Sequence, residues 1–448
     1  MLEDIDKALE ISARFVDITF QERESTSIVT KDGVAKDISV GSTGGFGVRV
    51  LDRIWGFASA SDAGELLDAT RRAHRAARAG KKEITFTAAD GIVDKVKTPV
   101  KIKPADVSLE EKIELGQRAY KAVKDRDQVV SSSFTYFDSK IKGFYASSEG
   151  ARIESESTKV AFFGGVFAKK NGALQFGSER TGATAGFEYI KDPETFGTGA
   201  ADKAIRLLNA RHAPSGTFKV VLDPLLTGVF IHEALGHAVE ADHIIQGESI
   251  LEGRLGEEIA SEQVTIYDDP SIPGSFGFYY YDDEGTRAQR TMLVEGGVLK
   301  GFLHSRETAS TLGMTSTGNS RAQGFDYLPV VRMSNTHLEP MGQELEELFE
   351  GIDYGVYLLG SKGGEVDPAK GVFQFSAEEG FLIEKGEITA PVKDVALSGE
   401  ILRILRDVDA VGSDFDSHIG FCGKEGQSVP VGDGGAHIRT IAAVGGAG

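Results

Sequence analysis

His232, Glu233 and His237 interrupt a run of apolar and small residues that begins at Pro224. Ionisable side chains in such surroundings cost stability unless something specific satisfies them. Imidazole nitrogens are good zinc ligands, and a neighbouring glutamate can serve as a general base. These residue types therefore predict a metal site, although a single histidine in an apolar helix is more often a hydrogen-bonded core residue.

The two histidines are five residues apart, one more than in the common His-Glu-x-x-His arrangement. Histidines four residues apart lie about 40° apart around an α-helix and face the same side. At five residues the angle is about 140°, so a regular helix would keep the two rings from meeting at one ion. The spacing therefore predicts an irregularity at residues 235–237, either a π-bulge or a helix end near Gly236.

A strand followed at once by a helix must position this segment. Residues 219–222 are typical of a strand, and Asp223 can accept hydrogen bonds from the free N–H groups of a first helical turn. Pro224 suits the first helical position, where its missing N–H is not needed. The apolar run after the proline predicts a helix that is buried on all sides.

The chain as a whole is predicted to have an α+β fold with two domains, because 448 residues exceed what one core usually supports. Residues 1–213 combine capped helices with strand-like runs, which predicts helices packed on a large, mainly antiparallel sheet. Residues 41–44, which include two glycines, are predicted to be a turn in that domain. Residues 214–448 contain many short strand-like runs, which predicts a β-rich, curved or barrel-like domain that carries the histidine helix.

Composition and charge exclude several classes of partner. The formal net charge is −19 at pH 7 and the pI is near 5.0, so phosphate backbones and anionic lipids are repelled. No run reaches transmembrane length, and the acidic start has no basic region before an apolar stretch. These features predict a cytoplasmic protein without a nucleic-acid or membrane partner. The single cysteine, Cys422, rules out an intrachain disulfide.

An ordered series of motifs resembles the TldD/PmbA family of zinc peptidases. The central motif is His232-Glu233-x-x-x-His237 with Glu240 and Asp242. The other motifs are Gly-Val-Arg-Val at 47–50, Asp-Asp-Glu-Gly at 282–285, Gly-Val-Leu-Lys-Gly at 297–301, Pro-x-x-Arg-Met-x-Asn at 329–335, Gly-Gly-Glu-Val-Asp at 363–367, Phe-x-Phe at 373–375, Gly-Phe-Leu-Ile-Glu-Lys-Gly at 380–386 and Cys-Gly-Lys-x-Gly-Gln at 422–427. The resemblance rests on this order over almost the entire chain, because His-Glu-x-x-x-His alone is a weak signal.

The resemblance implies one zinc ion per chain, bound by His232, His237 and Cys422, with Glu233 as general base on a metal-bound water. A thiolate beside two imidazoles favours zinc over magnesium or calcium. Three protein ligands leave a fourth position for water, whose pKa falls to about 7 in favourable zinc sites. A nucleophile would therefore be present at neutral pH.

Neighbouring residues complete the expected site. Glu240 and Asp242 are candidates to orient an imidazole through hydrogen bonds. If Cys422 lay far from the histidines, Glu240 or His243 would be the next candidate for the third ligand.

Two further motifs receive a more open interpretation. Arg332 and Asn335 are candidates to bind substrate carbonyls, and a purely structural pairing is an equally good interpretation. The acidic residues 282–284 are most simply a solvated turn without a catalytic role.

The resemblance further implies a metalloprotease that hydrolyses unfolded or short peptides. It also implies a dimer, either a homodimer or a heterodimer with a related metal-free subunit. A β-rich wall would let an extended peptide add as a strand and be held by backbone hydrogen bonds. Two other classes stay open, namely a non-catalytic regulatory protein of the gyrase-modulator type and a metal-dependent amidohydrolase acting on another substrate.

Overall fold

The structure is a computed structural model that describes residues 2–80 and 83–446. Over these ranges the chain has an α+β fold with mainly antiparallel sheets, as predicted, and none of the sheets closes into a barrel. None of the described helices combines the length and the apolarity needed to cross a membrane.

The N-terminal half is built on one large sheet with helices packed against it. Its strands are β1 (Phe15–Lys31), β2 (Val34–Leu51), β3 (Trp55–Ala60), β4 (Val93–Lys97), β5 (Val129–Ser147), β6 (Arg152–Lys170) and β7 (Ala173–Ala183). Its helices are α1 (Leu2–Leu9), α2 (Leu66–Arg78), α3 (Leu109–Lys121) and α4 (Pro193–Leu208). The strand order is β3-β2-β1-β5-β6-β4, and β7 also pairs with β6. Within the described residues, β7 has no second partner strand, so one of its edges is free.

The longest strands run straight through segments that the sequence pattern predicts to be turns. β1 and β2 pair from Phe15 with Leu51 to Lys31 with Val34, so the turn prediction for residues 41–44 is wrong. The glycine-rich part of β2 instead allows close approach. A Cβ atom on the neighbouring Gly45 would lie 2.5 Å from the carbonyl oxygen of Ala60.

The C-terminal half contains three sheets and five short helices among the described residues. Its strands are β8 (Arg211–His212), β9 (Gly216–Leu222), β10 (Ile266–Asp268), β11 (Thr291–Glu295), β12 (Val298–Leu299), β13 (Ser320–Arg321), β14 (Val330–Val331), β15 (Asn335–Leu338), β16 (Tyr354–Leu359), β17 (Gly364–Asp367), β18 (Val372–Ser376), β19 (Glu379–Glu384), β20 (Glu387–Lys393), β21 (Val395–Glu400), β22 (Ala410–Val411), β23 (Asp416–Lys424), β24 (Gln427–Gly435) and β25 (Ile438–Gly446). Its helices are α5 (Pro224–Ile231), α6 (Ala241–Gln246), α7 (Arg306–Leu312), α8 (Leu345–Phe349) and α9 (Ile401–Arg406).

Two of these sheets enclose the helix that precedes the histidines. The ten-stranded sheet has the order β17-β18-β21-β25-β9-β16-β19-β20-β8 with β22 beside β25, and the six-stranded sheet has the order β12-β11-β10-β15-β24-β23. β13 and β14 form a separate pair. α5 contacts β9 and β16 of the first sheet and β15, β23 and β24 of the second.

Tight packing fixes α5 between the sheets. The Phe230 ring lies 5.3 Å from the ring of Phe373 on β18, measured between centroids. On the other side, a Cβ atom added to Gly228 would lie 2.4 Å from the backbone nitrogen of Gly434 on β24. This close seat holds the end of the helix, and the histidines that follow it, in a defined position.

Candidate metal centre

α5 begins where the sequence predicts. The Asp223 side chain accepts a hydrogen bond of 2.7 Å from the N–H of Leu226, and Pro224 occupies the first turn. The helix is not buried on all sides, because Leu225 and Val229 are half-buried and line a cavity. An apolar cavity wall has the same residue pattern as a core-facing side, so the sequence alone could not distinguish the two.

α5 gives way to a π-helical turn from His232 to Gly236. The N–H of His237 donates to the carbonyl oxygen of His232, which is the i to i+5 hydrogen bond of a π-helix. The extra residue is thereby absorbed, and the two imidazole centroids lie 5.3 Å apart. A Cβ atom at Gly236 would lie 1.9 Å from the sulfur of Met333, so the turn also requires a residue without a side chain there. The predicted irregularity is confirmed.

β23 brings Cys422 to the two histidines from the far end of the chain. Its Sγ atom lies 3.8 Å from Nε2 of His237. One ligand atom from each of His232, His237 and Cys422 lies within 4.8 Å of the others, and all three residues are buried or nearly so. The structure therefore brings together the three residues that the sequence singled out.

Each histidine is oriented by a buried carboxylate. Nδ1 of His232 lies 2.7 Å from Oδ1 of Asp433 on β24, and Nδ1 of His237 lies 3.0 Å from Oε2 of Glu240. These contacts leave the Nε2 atoms to face the thiol. Carboxylates that fix the outer nitrogen of an imidazole are the usual support of a histidine metal ligand. Glu240 was a sequence candidate for this role, but Asp433 was not.

The electrostatics of the three residues favour a thiolate. Burial alone would raise the pKa of the Cys422 thiol, but His232 and His237 lower that pKa to about 5. Burial lowers the pKa of His237, yet Glu240 and Cys422 together raise it to about 10. An anionic sulfur between two carboxylate-supported rings is a donor set that attracts a soft cation.

Glu233 is the most exposed of the three motif residues His232, Glu233 and His237. Its side chain is 27 % exposed, and Oε2 lies 3.8 Å from Nε2 of His237. Burial raises the pKa of Glu233 above its ordinary value, against the opposing effect of the two histidines. Both Glu233 and His232 line a cavity of about 500 Å³, so a substrate in that cavity can reach the carboxylate.

Lys424 links the remaining acidic candidates. Its Nζ atom donates to Oε2 of Glu240 at 3.1 Å and to the Asp242 carboxylate at 2.7 Å. Asp242 therefore contacts a lysine and not an imidazole. Sequence reasoning missed Lys424, although it lies two residues after Cys422 on one strand and so shares its face.

Arg332 and Asn335 are fully buried, and each makes hydrogen bonds within the protein, although Nε and Nη1 of Arg332 have no partner among the described residues. Arg332 donates to the carbonyl oxygen of Cys422. Asn335 accepts from the N–H of Gly277 at 3.0 Å and donates to the carbonyl oxygen of Asp269 at 2.7 Å. Arg332 thereby supports the strand that carries the cysteine, and a role of the two residues in binding substrate carbonyls stays a prediction.

The acidic residues at 282–284 do not form a solvated turn, and that prediction is wrong. Asp282 and Glu284 are both buried. Glu284 lies 2.9 Å from the guanidinium of Arg49 on β2, and Asp282 accepts hydrogen bonds from the N–H groups of Thr286 and Ser320. Arg49, which is distant in sequence, satisfies the charge of Glu284 and joins the C-terminal half to the N-terminal sheet, whereas the partners of Asp282 belong to the C-terminal half.

The donor set and the accessible glutamate suit metal-dependent hydrolysis. Three family profiles match the chain in order. They are described as PmbA/TldA metallopeptidase domain 1 at residues 16–77, central domain at residues 102–208 and C-terminal domain at residues 215–443. The protein belongs to the PmbA/TldD family of metallopeptidases, as the motif series predicts.

Relatives from other organisms agree over nearly the full length. A metalloprotease of Methanocaldococcus jannaschii is 47 % identical, with 99 % of each chain covered. A zinc metalloprotease TldD homolog of Saccharolobus solfataricus is 31 % identical, with 98 % of each chain covered. The crystal structure of TldE from Thermococcus kodakarensis superimposes with a TM-score of 0.82 at 19 % identity, covering 99 % of this chain and 100 % of that one. This last likeness shows the fold alone.

Proposed function

We propose that the protein is a zinc-dependent peptidase that hydrolyses unfolded or short peptides, with Glu233 as its general base. The observation that carries the proposal is the convergence of two imidazoles and a thiol within 4.8 Å beside a glutamate that lines a cavity. No sequence-local interaction explains this convergence, because Cys422 follows His237 by 185 residues.

The residues present fit a zinc ion. Ligand atoms in a tetrahedral site with bonds of about 2.0–2.3 Å lie roughly 3.3–3.8 Å apart. The distance of 3.8 Å between Sγ of Cys422 and Nε2 of His237 agrees with such a site. When bound, zinc would act as a Lewis acid and lower the pKa of a coordinated water. His232, His237 and Cys422 would hold it.

The protein's own residues would transfer the proton and orient the two imidazoles. Glu233 takes a proton from the attacking water and passes it to the leaving amine. Asp433 and Glu240 keep the two imidazoles in one orientation through their Nδ1 atoms. Lys424 in turn binds Glu240, so the carboxylate that holds His237 is itself fixed.

The walls of the cavity suit an extended peptide. Among the described strands, β23 pairs only with β24, so its other edge is free, and Gly420 and Phe421 of this strand line the cavity with Glu233. A peptide added along such an edge is held by main-chain hydrogen bonds and needs no particular side chains. An unfolded or short peptide can become extended without first breaking a structure of its own, so we expect such peptides to be the substrates.

Cleavage of an unstructured peptide by the wild type and by Glu233→Ala, with zinc measured in both, tests the proposal. We expect zinc at one ion per chain in both proteins and cleavage by the wild type alone. Equal cleavage by both, or no cleavage by a fully zinc-loaded wild type, contradicts it. The regulatory and amidohydrolase alternatives predict that second result.

Metal analysis of Cys422→Ala tests the ligand set separately. We expect loss of stoichiometric zinc, and retention of one ion per chain would assign the third ligand to another residue. The dimeric assembly stays a prediction, which the molar mass from light scattering checks.

A further inference from the structure

The cavity beside Glu233 is also lined by basic side chains, which have no role in the proposed catalysis. Besides α5 and β23, its walls come from β7, from α4 and from the loop at residues 361–363. Three basic residues, Arg180, Lys203 and Lys362, face this one cavity of about 500 Å³. The same lining contains the carboxylates of Glu233, Glu378 and Asp433, so a ligand can use only those cations that these carboxylates do not already bind.

Arg180 is fixed in place while part of its guanidinium stays free. Its Nη2 atom donates to the carbonyl oxygen of Ser361 at 2.8 Å and lies 3.5 Å from Oε1 of Glu378. Nε and Nη1 have no hydrogen-bond acceptor among the described residues. Neither atom is among the fully buried polar atoms that lack a partner. These two donors therefore reach open space.

The main ion-pair partner of Glu378 is Lys203 and not Arg180. Lys203 donates to Oε2 of Glu378 and to the carbonyl oxygen of Ser178, and it lies 3.6 Å from Glu179. Arg180 retains only the longer contact of 3.5 Å to Glu378. Lys203 therefore serves the structure of the wall, and the charge of Arg180 is available to a ligand.

Lys362 adds a second available charge. Its side chain is exposed, and no carboxylate of the described residues lies within 4 Å of it. Its backbone is nevertheless anchored, since the N–H of Lys362 donates to the carbonyl oxygen of Ser376 at 2.8 Å, and Gly363 accepts from the N–H of Ser376 at 3.1 Å. The backbone of the loop is thus held in place, and Lys362 lines the cavity without an ion-pair partner among the described residues.

We propose that Arg180 and Lys362 form a carboxylate-binding subsite that selects peptides with an anionic group close to the scissile bond. This inference rests on the proposed peptidase function. A free guanidinium N–H group donates a charge-assisted hydrogen bond to a carboxylate oxygen, and an ammonium group adds a point charge. A cavity of this volume is about 10 Å across, the length of roughly three extended residues. The carboxylate is therefore within about three residues of the bond facing Glu233.

The carboxylate has two sources, the C-terminus of a short peptide or an aspartate or glutamate side chain. Binding of fluorescent peptides to zinc-loaded Glu233→Gln distinguishes them without cleavage. Four hexapeptides are compared by anisotropy, ending in an acid or an amide and carrying glutamate or glutamine at one position. A charge-assisted hydrogen bond is worth about 1.5–3 kcal/mol, so we expect the preferred carboxylate form to bind about 10- to 100-fold more tightly.

Substitutions in the same background locate the preference. Arg180→Met and Lys362→Met are each expected to reduce the ratio of the two dissociation constants at least threefold, while the neutral peptides bind as before. Arg403→Met is the matched control, because this arginine lies on α9 outside the cavity lining and its side chain is 72 % exposed. Because Arg180 also ties β7 to Ser361, the exposed Lys362 provides the variant least able to disturb folding.

Two results overturn the subsite. One is equal binding of the charged and neutral peptides by the Glu233→Gln protein. The other is an unchanged ratio in folded Arg180→Met and Lys362→Met. Either result leaves the peptidase proposal standing, since that proposal depends on cleavage by the wild type. Conversely, absence of cleavage with a retained carboxylate preference would refute the peptidase proposal and keep an anion-binding cavity.

Discussion

Replacement of Asp433 by alanine is expected to weaken zinc binding although Asp433 is not a ligand. Its Oδ1 atom lies 2.7 Å from Nδ1 of His232, and both side chains are largely buried. The carboxylate fixes the ring and directs Nε2 toward Cys422. Loss of such a partner lowers metal affinity about 10- to 100-fold, which is about 1.4–2.7 kcal/mol. That range agrees with the 1.5–3 kcal/mol of a buried hydrogen bond to a charged group.

Competition with a chromophoric zinc chelator at pH 7.5 measures the effect. Asp433→Asn is the intermediate case, because an amide oxygen still accepts from Nδ1 but without the negative charge. Asp416→Ala is the matched control, since this aspartate lies on the neighbouring strand β23, its side chain is 66 % exposed and it contacts neither candidate imidazole ligand. A folded Asp433→Ala protein with zinc affinity within twofold of the wild type would refute the reasoning, as would an equal loss in the control.

Three further changes probe the framework. Gly236→Ala would place a methyl group 1.9 Å from the Met333 sulfur, so we expect a loss of about 1–3 kcal/mol in urea unfolding that Met333→Ala partly restores. Glu284→Gln removes one carboxylate from buried Arg49, which keeps its pair with Asp17, so about 1.5–3 kcal/mol should be lost from the free energy of unfolding. Burial lowers the pKa of His304 to about 4, so the unfolded chain binds the extra proton between about pH 6.5 and 4. The free energy of unfolding of the metal-free protein should therefore decrease as the pH is lowered through this window, by at most about 3 kcal/mol from this group. His304→Gln should make this decrease shallower.

The sequence predicted the parts of the site that follow from local rules. Asp223 and Pro224 begin a helix for reasons confined to one turn, and the spacing of His232 and His237 is incompatible with a regular helix. A π-helical turn is one of two geometric solutions to that conflict, and the structure adopts it. Cys422 could be placed beside these residues only through the resemblance to a known family.

Supporting partners from distant strands could not be predicted in the same way. Asp433 precedes Gly434, which packs against Gly228, but it belongs to no recognisable ligand pattern and follows His232 by 201 residues. The position of Lys424 could have been predicted in part, since side chains two residues apart on a strand share a face and Lys424 follows Cys422 by two residues. The sequence contained these residues but not the strand pairing that brings them into contact.

Buried charge misled the sequence interpretation for a related reason. Residues 282–284 are acidic and precede Gly285, a pattern typical of an exposed turn. The burial of Glu284 depends on Arg49, which lies 235 residues before it. From a run of charged residues one can predict that burying them would cost free energy. The run does not show which distant residue of opposite charge offsets that cost.

The long separation between His237 and Cys422 also affects when the protein can first act during its synthesis. At about 5–20 residues per second, the 185 intervening positions take roughly 10–40 s to translate. During that interval the nascent chain presents both imidazoles but lacks the thiolate that would complete the site. The three candidate ligands can therefore come together only after most of the polypeptide has been synthesised and has had time to fold.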